Sequence, residues 1–373
     1  MTKHNLSLAF LLICAMLATG VHGQTMPPAH PTLEASCNAT TFLRDAEFFM
    51  PFTKGYTAAG FRLEPVLDYR PGEAVRLRVG AMLTGVAGTE GLWKAQPVVT
   101  FDYKAAPWML LTMGTLDGST SHRLDAPMYD PERWFYDYKE DGLQIRTSTR
   151  HWESDTWLNW EHFLEPWTPD QERFTLGSRH EIKLFATESS ADKGFSLHVP
   201  MAFTGSHRGG QFTTLDTCIE TLFNEQLALK AALQQREWRL ELEAPCYFYQ
   251  NMSPTVHTQY EEGWGLWPNI RVRKSIQSKI TENANSVDIK AGYWRGHRYE
   301  SARGSYLFQC TSWFDGSFAM PERHMLTIDM AFSHKTKDLE LRLEGSLFHD
   351  LDLKRTDFVF GLTMHMSPHF KIL

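Results

Sequence analysis

Strict alternation of apolar and polar side chains between residues 324 and 348 is the feature that most restricts the fold of this chain. The apolar positions of the first half are Leu326, Ile328, Met330 and Phe332. After a short turn at residues 335–338, the alternation resumes with Leu339, Leu341, Leu343 and Leu347. Successive side chains of a β-strand point to opposite faces, so a period of two predicts consecutive strands with one apolar and one polar face.

The same alternation recurs along most of the chain. Counting the alternating segments between residues 56 and 366 gives about 16 strands, within a range of about 14–18. The mean hydropathy is −0.36, and no long apolar run follows the first 18 residues, which excludes transmembrane helices. Because every backbone group of a membrane-spanning sheet must be paired, the predicted fold class is all-β, a closed transmembrane antiparallel β-barrel with an apolar outer face.

The N-terminus predicts export from the cytoplasm. Residues 1–23 have the composition of a signal peptide, with a polar start at Lys3 and an apolar stretch from Leu6 to Ala18. We expect a polar N-terminal segment at residues 24–41 and the barrel domain at residues 42–373. Together, the signal peptide and the barrel predict the outer membrane of a Gram-negative bacterium.

Composition restricts the partners of the chain. The net charge of −7 argues against a nucleic-acid partner, which would require a basic surface. The 12 Trp and 12 Tyr suit aromatic girdles at the two lipid–water interfaces, although a large soluble β-protein with an aromatic core is an alternative. We therefore expect three kinds of partner: outer-membrane lipid with lipopolysaccharide, the barrel assembly machinery, and small polar solutes. The five Cys show no metal-binding spacing or disulfide scaffold, so we expect no metal or cofactor.

Three points of organisation stay open at this level. Residues 42–52 fit either an extra first strand or a plug. Residues 215–236 carry good helix formers, but the clean alternation that follows them favours a strand. If both termini are periplasmic, the long connections fall at the wrong end of the barrel unless residues 42–52 add a strand or the long segments enter the pore from the periplasm.

The longest interruption, residues 117–140, predicts a channel constriction. A long charged loop inside a compact fold is often functional, and in a porin it can fold inward and limit passage. A solvated surface loop without a role is the alternative. The constriction candidates in this segment are His122, Arg123, Asp125, Asp130, Glu132 and Arg133.

Two further segments supply constriction candidates. The strand at residues 154–163 places Asn159 and Glu161 on its polar face, where they would line the lumen. The segment at residues 295–309 is a cationic patch in an acidic protein, and its candidates are Arg295, Arg298 and Arg303. Arginine binds carboxylates and phosphates through its planar fork, but simple charge balance explains such a patch equally well.

Several phrases of the sequence carry a family resemblance. They are Lys54-Gly55-Tyr56-Thr57, Gly60-Phe61-Arg62-Leu63, Met113-Gly114-Thr115-Leu116, Asp130-Pro131-Glu132-Arg133, Ser154-Asp155-Thr156-Trp157-Leu158 and Gly304-Ser305-Tyr306-Leu307-Phe308-Gln309. Through them, the chain resembles Gram-negative outer-membrane β-barrels of porin-like size, and more narrowly barrels of the Bacteroidota. The resemblance implies an outer-membrane barrel and no catalytic residues. The C-terminus departs from many such barrels because Phe370 is not the last residue.

The function that these observations predict is a porin-like channel, not an enzyme, that passes small polar solutes through a lumen of mixed charge. An alternative is a structural or partner-binding barrel, for example one that holds a surface lipoprotein. A lipid-modifying barrel enzyme is the third hypothesis, because Ser121, His122 and Asp125 lie in one loop. Their proximity in sequence does not establish the geometry of a catalytic triad.

Overall fold

The computed structural model describes residues 30–187, 193–210, 219–254, 258–277 and 283–373. The predicted signal peptide at residues 1–23 lies outside this part of the chain. No helix in the described part is long and apolar enough to cross a membrane. Cys37, Cys246 and Cys310 are free thiols.

Antiparallel strands account for most of the described residues. Their bounds are β1 Thr32–Glu47, β2 Tyr56–Arg70, β3 Val75–Val86, β4 Lys94–Ala106, β5 Met109–Leu116, β6 Glu140–Ser148, β7 Trp152–His162, β8 Glu172–Ala186, β9 Lys193–Gly209, β10 Glu220–Gln235, β11 Trp238–Asn251, β12 Glu262–Leu266, β13 Asn269–Gln277, β14 Ala284–His297, β15 Glu322–Lys335, β16 Leu339–Asp350, β17 Arg355–Met366 and β18 His369–Lys371. A short helix, α1, covers Arg133–Tyr136, and single 3₁₀ turns cover Ser119–His122 and Tyr306–Phe308.

These segments form a closed barrel of 16 strands, which confirms the predicted fold class. Each strand pairs with the next along the chain, and β1 closes the ring by pairing with both β2 and β17. β12 and β13 are two parts of one barrel strand, since both pair with β11 and β14. The strand breaks at Trp267 and Pro268, where proline lacks the N–H that a ladder requires. β18 continues β17 along β1.

The first strand answers the open question about topology. β1 starts at Thr32, so the barrel extends into residues 24–41, which were expected to precede it. With β1 counted as a strand, the connections at residues 87–93, 117–139, 252–261 and 298–321 all lie at the end opposite the termini. Outer-membrane barrels have periplasmic termini with short periplasmic turns, so this loop-bearing end is extracellular. The described part of residues 215–236 forms strand β10, as the alternation predicted.

The outer surface has the composition of a lipid-facing wall. Exposed apolar side chains alternate along the strands, as at Leu326, Ile328 and Met330 of β15. Tryptophans mark both ends of the wall: Trp108, Trp152 and Trp238 at the periplasmic end, and Trp93, Trp160 and Trp264 at the extracellular end. This arrangement matches the two aromatic girdles of membrane barrels.

Two loops fill the extracellular half of the lumen. Plug loop 1 is residues 117–139, and plug loop 2 is residues 298–321. They bind each other through backbone hydrogen bonds from Asp130 N to Arg303 O (2.7 Å) and from Ser305 N to Ala126 O (2.8 Å). Their apolar residues join inward-facing wall residues in one hydrophobic core that includes Met50, Phe52, Met128, Tyr247, Trp294, Tyr299, Leu307, Phe308 and Met325. A polar cavity of about 900 Å³ lies below this core, towards the periplasmic turns.

Candidate functional site

The side chain of His122 is buried in plug loop 1 and held by two carboxylates. Its Nδ1 donates to Asp155 Oδ2 at 2.9 Å and its Nε2 donates to Glu140 Oε2 at 3.0 Å. The imidazole also stacks on Trp157, with ring centroids 3.5 Å apart and ring planes 6° apart. Ionised carboxylates only accept hydrogen bonds, so both ring nitrogens carry protons and His122 is an imidazolium cation.

The pKa of His122 reflects this arrangement. Burial by itself lowers the pKa of an imidazole, but the hydrogen bonds to Asp155 and Glu140 outweigh burial and raise the pKa of His122 above its ordinary value. Neither ring nitrogen has a free lone pair in this state. His122 therefore fastens plug loop 1 to the wall and is unsuited to accept a proton from a substrate.

The three loop residues considered for a catalytic triad do not come together. Ser121 Oγ is buried and has no hydrogen-bond partner in the described part of the chain. Asp125 instead accepts hydrogen bonds from Tyr247 (2.9 Å) and Gln226 (2.7 Å) on the opposite wall. The proximity of Ser121, His122 and Asp125 in sequence therefore does not become a catalytic triad in the structure.

The other predicted residues of plug loop 1 anchor it to the strands or to itself. Glu132 accepts hydrogen bonds from Arg44 of β1 and Tyr56 of β2. Arg133 is buried over the ring of Tyr129, whose hydroxyl binds Glu140. The contacts of Glu132 and Arg133 therefore hold plug loop 1 in place.

Asp130 and Arg123 differ from these anchors. Burial and the neighbouring Glu132 raise the pKa of Asp130 to about 6. Arg123 is largely exposed and pairs with Glu153 at 3.3 Å, facing the periplasmic cavity. Asp130 is therefore enclosed by protein, whereas Arg123 is open to the water of the periplasmic cavity.

The candidates outside plug loop 1 divide into two groups. Asn159 and Glu161 face the lumen, and Glu161 forms an ion pair with Arg303 of plug loop 2. Arg295 and Arg298 do not join them. Arg295 points out of the barrel at the end of β14, and Arg298 follows it at the extracellular rim. The cationic patch predicted at residues 295–309 is therefore split between the interior and the outer surface.

The outer surface at this rim contains a pocket that the sequence did not reveal. This rim pocket, of about 500 Å³, is lined by Phe223, Glu225, Phe248, Gln250, Glu262, Trp264, His297 and Arg298. These side chains come from the extracellular ends of β10, β11, β12 and β14, on the face that meets lipid. A pocket with aromatic walls and a few polar groups at the level of the lipid headgroups suits an amphipathic ligand.

Within the rim pocket, His297 has the geometry of a general base. Its Nδ1 lies 2.6 Å from Glu322 Oε1 on the neighbouring strand β15, and its ring stacks on Trp264. The side chain is 33% exposed, and in the described part of the chain Nε2 has no hydrogen-bond partner. When a carboxylate accepts a hydrogen bond from Nδ1, the imidazole proton is on Nδ1 and the free lone pair is on Nε2. In His297, Nε2 is the ring nitrogen that points away from Glu322.

A second histidine–carboxylate pair lies at the same extracellular rim, on the neighbouring strand β15. His324 of β15 contacts Asp352 through Nδ1 at 3.1 Å. In both pairs the histidine and its carboxylate come from different strands or loops, so no sequence spacing reveals them. The one signal available in the sequence was parity, because His297 has the same parity as the lipid-facing Tyr293 on β14, and His324 has the same parity as the lipid-facing Leu326 on β15. No group of three or more His, Cys, Asp or Glu residues in the described ranges is arranged to hold a metal ion.

Solved structures of outer-membrane proteins share this fold. A loop-deletion form of OmpT from Vibrio cholerae matches with a TM-score of 0.53 at 8% identity, over 91% of this chain and 100% of that one. OmpT folded in vitro, in a trimer form, gives the same TM-score at 7% identity, also over 91% and 100% of the two chains. OprD from Pseudomonas aeruginosa has a TM-score of 0.46 at 10% identity, over 91% and 94%. The two OmpT matches show that the chain shares the fold of an outer-membrane barrel. The predicted outer-membrane location is confirmed.

A family model described as lipid A 3'-O-deacylase-type matches residues 26–373. No curated protein matches the chain. The family match overturns two predictions: that the chain is a porin-like channel for small polar solutes, and that it is not an enzyme. The sequence favoured a channel because alternation reveals a barrel but not the loops that fill it. From residue 26 to its last residue, this chain belongs to the lipid A 3'-O-deacylase-type family.

Proposed function

We propose that this protein hydrolyses an ester-linked acyl chain of lipid A in the outer leaflet, and that the reaction takes place in the rim pocket. The family match supports the reaction class. The observation that supports the place is the outward-facing His297–Glu322 pair in a pocket open to the membrane. Lipid A reaches the protein from the plane of the membrane, so its ester groups meet the outer wall and not the filled lumen.

The rim pocket offers a separate surface to each part of the substrate. Phe223, Phe248 and Trp264 form an apolar wall for the acyl chain. Arg298 supplies a cation beside it, which suits the negative charge that develops on the carbonyl oxygen during ester hydrolysis. The acyl ester would lie between these two surfaces, in front of the imidazole.

The proposed chemistry uses a water molecule and His297. His297 Nε2 takes a proton from the water, whose oxygen attacks the ester carbonyl carbon. The tetrahedral intermediate collapses as the bond from carbon to the sugar oxygen breaks, and His297 returns the proton to that oxygen. Glu322 accepts the Nδ1 hydrogen bond throughout and stabilises the imidazolium that forms between the two steps. The products are a fatty acid and a lipid A with a free hydroxyl group.

The test uses purified full-length protein in detergent, with lipid A as substrate and mass spectrometry as the readout. The wild type should remove one acyl chain, and His297→Ala should lower the rate by about 10²–10⁴-fold, the usual contribution of general base catalysis. His334→Ala is the matched control, since His334 lies on the outer face at the periplasmic end of β15 and bonds Asn285 at 2.7 Å.

The possible outcomes separate the function from its location. If the wild type leaves the mass of lipid A unchanged, the proposed hydrolysis is wrong. If the wild type is active and His297→Ala is equally active, the hydrolysis stands but the rim pocket is not its site.

A further inference from the structure

The polar cavity in the periplasmic half of the lumen has more cationic than anionic side chains. Eight Lys and Arg side chains and five Asp and Glu side chains line this cavity of about 900 Å³. The whole chain has the opposite balance, with a net charge of −7. Thr149, His151 and Thr187, which lie at periplasmic turns, are part of the lining, so the cavity extends to the periplasmic end of the barrel. This excess of positive charge favours an anion that arrives from the periplasm.

Within the cavity wall, cations lie opposite cations on neighbouring strands. Arg239 of β11 is directly opposite Arg273 of β13, and Arg271 of β13 is directly opposite Lys290 of β14. All four side chains have the parity of the lumen face. Directly opposite side chains of an antiparallel sheet have Cβ atoms about 4.5–5.5 Å apart, and like charges at this distance are destabilising. A wall that served only for stability would pair opposite charges, so this arrangement indicates an anionic ligand.

The nearby carboxylates satisfy only part of these guanidinium groups. Asp288 accepts hydrogen bonds from Arg271 Nε and Nη2, at 2.7 and 2.6 Å, and from Arg273 Nε at 3.1 Å. Arg239 donates from Nε to Glu241 at 2.7 Å. In the described part of the chain, the terminal nitrogens of Arg239 and Arg273 have no hydrogen-bond partner. The two side chains are 35% and 37% exposed to the cavity, so their terminal N–H groups are available to a carboxylate or phosphate.

A second group of cations lines the same cavity on β8 and β10. Glu181 of β8 is shared by two of them, because it accepts a hydrogen bond from Lys230 at 2.7 Å and another from Arg179. Lys183, which lies nearer the periplasmic end of β8, has no ion-pair partner in the described ranges, and it also lines the cavity. β8 is four strand positions from β13 around the wall. The cavity therefore offers positive charge at two separate places.

We propose that the periplasmic cavity binds a hydrophilic organic anion with at least two phosphate or carboxylate groups. The terminal N–H groups of Arg239 and Arg273 hold one anionic group, and Lys183 attracts another. The volume of the cavity lies within the range of about 300–1,000 Å³ that is usual for sites that enclose organic ligands. Because the plug loops fill the extracellular half of the lumen, the ligand enters and leaves at the periplasmic end. The cavity is therefore a binding site and not part of a channel.

Isothermal titration calorimetry of the purified full-length protein, in an uncharged detergent, tests this proposal. Fructose 1,6-bisphosphate is the phosphate probe, citrate is the carboxylate probe and fructose is the neutral control. We expect at least one of the two anions to bind, with one molecule per protein chain, and fructose to give no heat of binding. The double variant Arg239→Gln, Arg273→Gln should weaken this binding by roughly tenfold or more. Lys274→Gln is the matched control, because Lys274 follows Arg273 but lies on the outer face, over the ring of Trp238.

Two results would overturn the proposal: no binding of either anion to the folded wild type, or equal affinity of the wild type and the double variant. A heat-dependent shift in gel mobility verifies that each variant is a folded barrel. If the double variant does not fold, Lys183→Gln replaces it, with an expected loss of affinity of about threefold, and unchanged affinity of that variant overturns the proposal. The cavity and the rim pocket lie at opposite ends of the barrel. His297→Ala should bind the anion as the wild type does, and the double variant should deacylate lipid A at the wild-type rate, so the two proposals can fail separately.

Discussion

His122 and His297 both contact carboxylates, yet their surroundings give them opposite roles. His122 is fully buried and stacks on Trp157, and its two ring nitrogens form hydrogen bonds with Glu140 and Asp155. His297 is 33% exposed and contacts one carboxylate, that of Glu322. Two carboxylates in a buried site stabilise a permanent cation, while one carboxylate at an open site orients an imidazole and leaves it a lone pair.

The comparison shows that a histidine cannot be assigned a role from the loop or strand that carries it. His122 lies in the long charged loop that the sequence makes conspicuous, and it fastens that loop. His297 ends an ordinary alternating strand, where nothing in the local sequence is unusual. Number of partners and access to the membrane distinguish the two, and both are properties of the folded barrel.

The largest effect that we expect concerns the buried histidine. His122→Ala leaves Glu140 and Asp155 without their cation, and removing one partner of a buried ion pair costs about 3–5 kcal/mol. The free energy of unfolding in detergent, measured by tryptophan fluorescence, should fall by this amount. His334→Ala should leave it unchanged. Equal stability of His122→Ala and wild type would show that His122 does not fasten the loop.

A substitution in the exposed His297–Glu322 pair should change the rate of deacylation and not the stability of the protein. Glu322→Gln keeps the size of the side chain but removes the charge that stabilises the His297 imidazolium. We expect the rate of lipid A deacylation to fall by about 10²-fold, which corresponds to about 2.7 kcal/mol, with the melting temperature unchanged. If this variant loses stability and not activity, His297 belongs with His122 as a structural residue.

The pH dependence of stability should sharpen the same contrast. The raised pKa of His122 stabilises the fold fully below the ordinary value of 6.5, and this contribution is lost as pH rises through the higher value in the native state. Burial raises the pKa of Glu300 in plug loop 2 to about 7 from 4.5, so its contribution is likewise lost as pH rises from 4.5 through 7. Melting temperatures between pH 5 and 8 should therefore decrease with pH, and less steeply for Glu300→Gln. A rising curve would contradict both assignments.

The smallest effect should come from the exposed end of plug loop 1. Arg123 and Glu153 are 61% and 48% exposed, and an ion pair of this kind contributes about 0–1 kcal/mol. Arg123→Ala should leave both the unfolding free energy and the deacylation rate within error of the wild type. A large loss of stability would mean that the loop is held at Arg123 as well as at His122.

The barrel could be predicted because each strand is revealed by the alternation of residues that are neighbours in sequence. The rim pocket could not be predicted, because its residues are far apart in sequence. The period of two from Met325 to His334 gives a strand whatever lies across from it. The rim pocket joins residues from Phe223 to Arg298, and its acid Glu322 lies 25 positions beyond His297. Residues 117–140 were expected to fold inward and narrow a channel. In the structure, plug loop 1 does fold inward, but it packs against plug loop 2 and the two loops fill the extracellular half of the lumen. The 16-strand count agreed, although it was taken from residue 56 and the first strand starts at Thr32.

The contact between the two plug loops has a consequence for the order of assembly. Tyr299 donates its hydroxyl hydrogen to the carbonyl oxygen of Pro127, which is 172 positions earlier in the chain. Gly304 lies so close to the same carbonyl that any side chain there would collide with it. The two plug loops therefore cannot bind each other until the chain has been made past β14, which is the thirteenth of the 16 barrel strands. Until plug loop 2 follows, plug loop 1 lacks the hydrogen-bond partners that hold it across the lumen, so the extracellular end is sealed late in assembly.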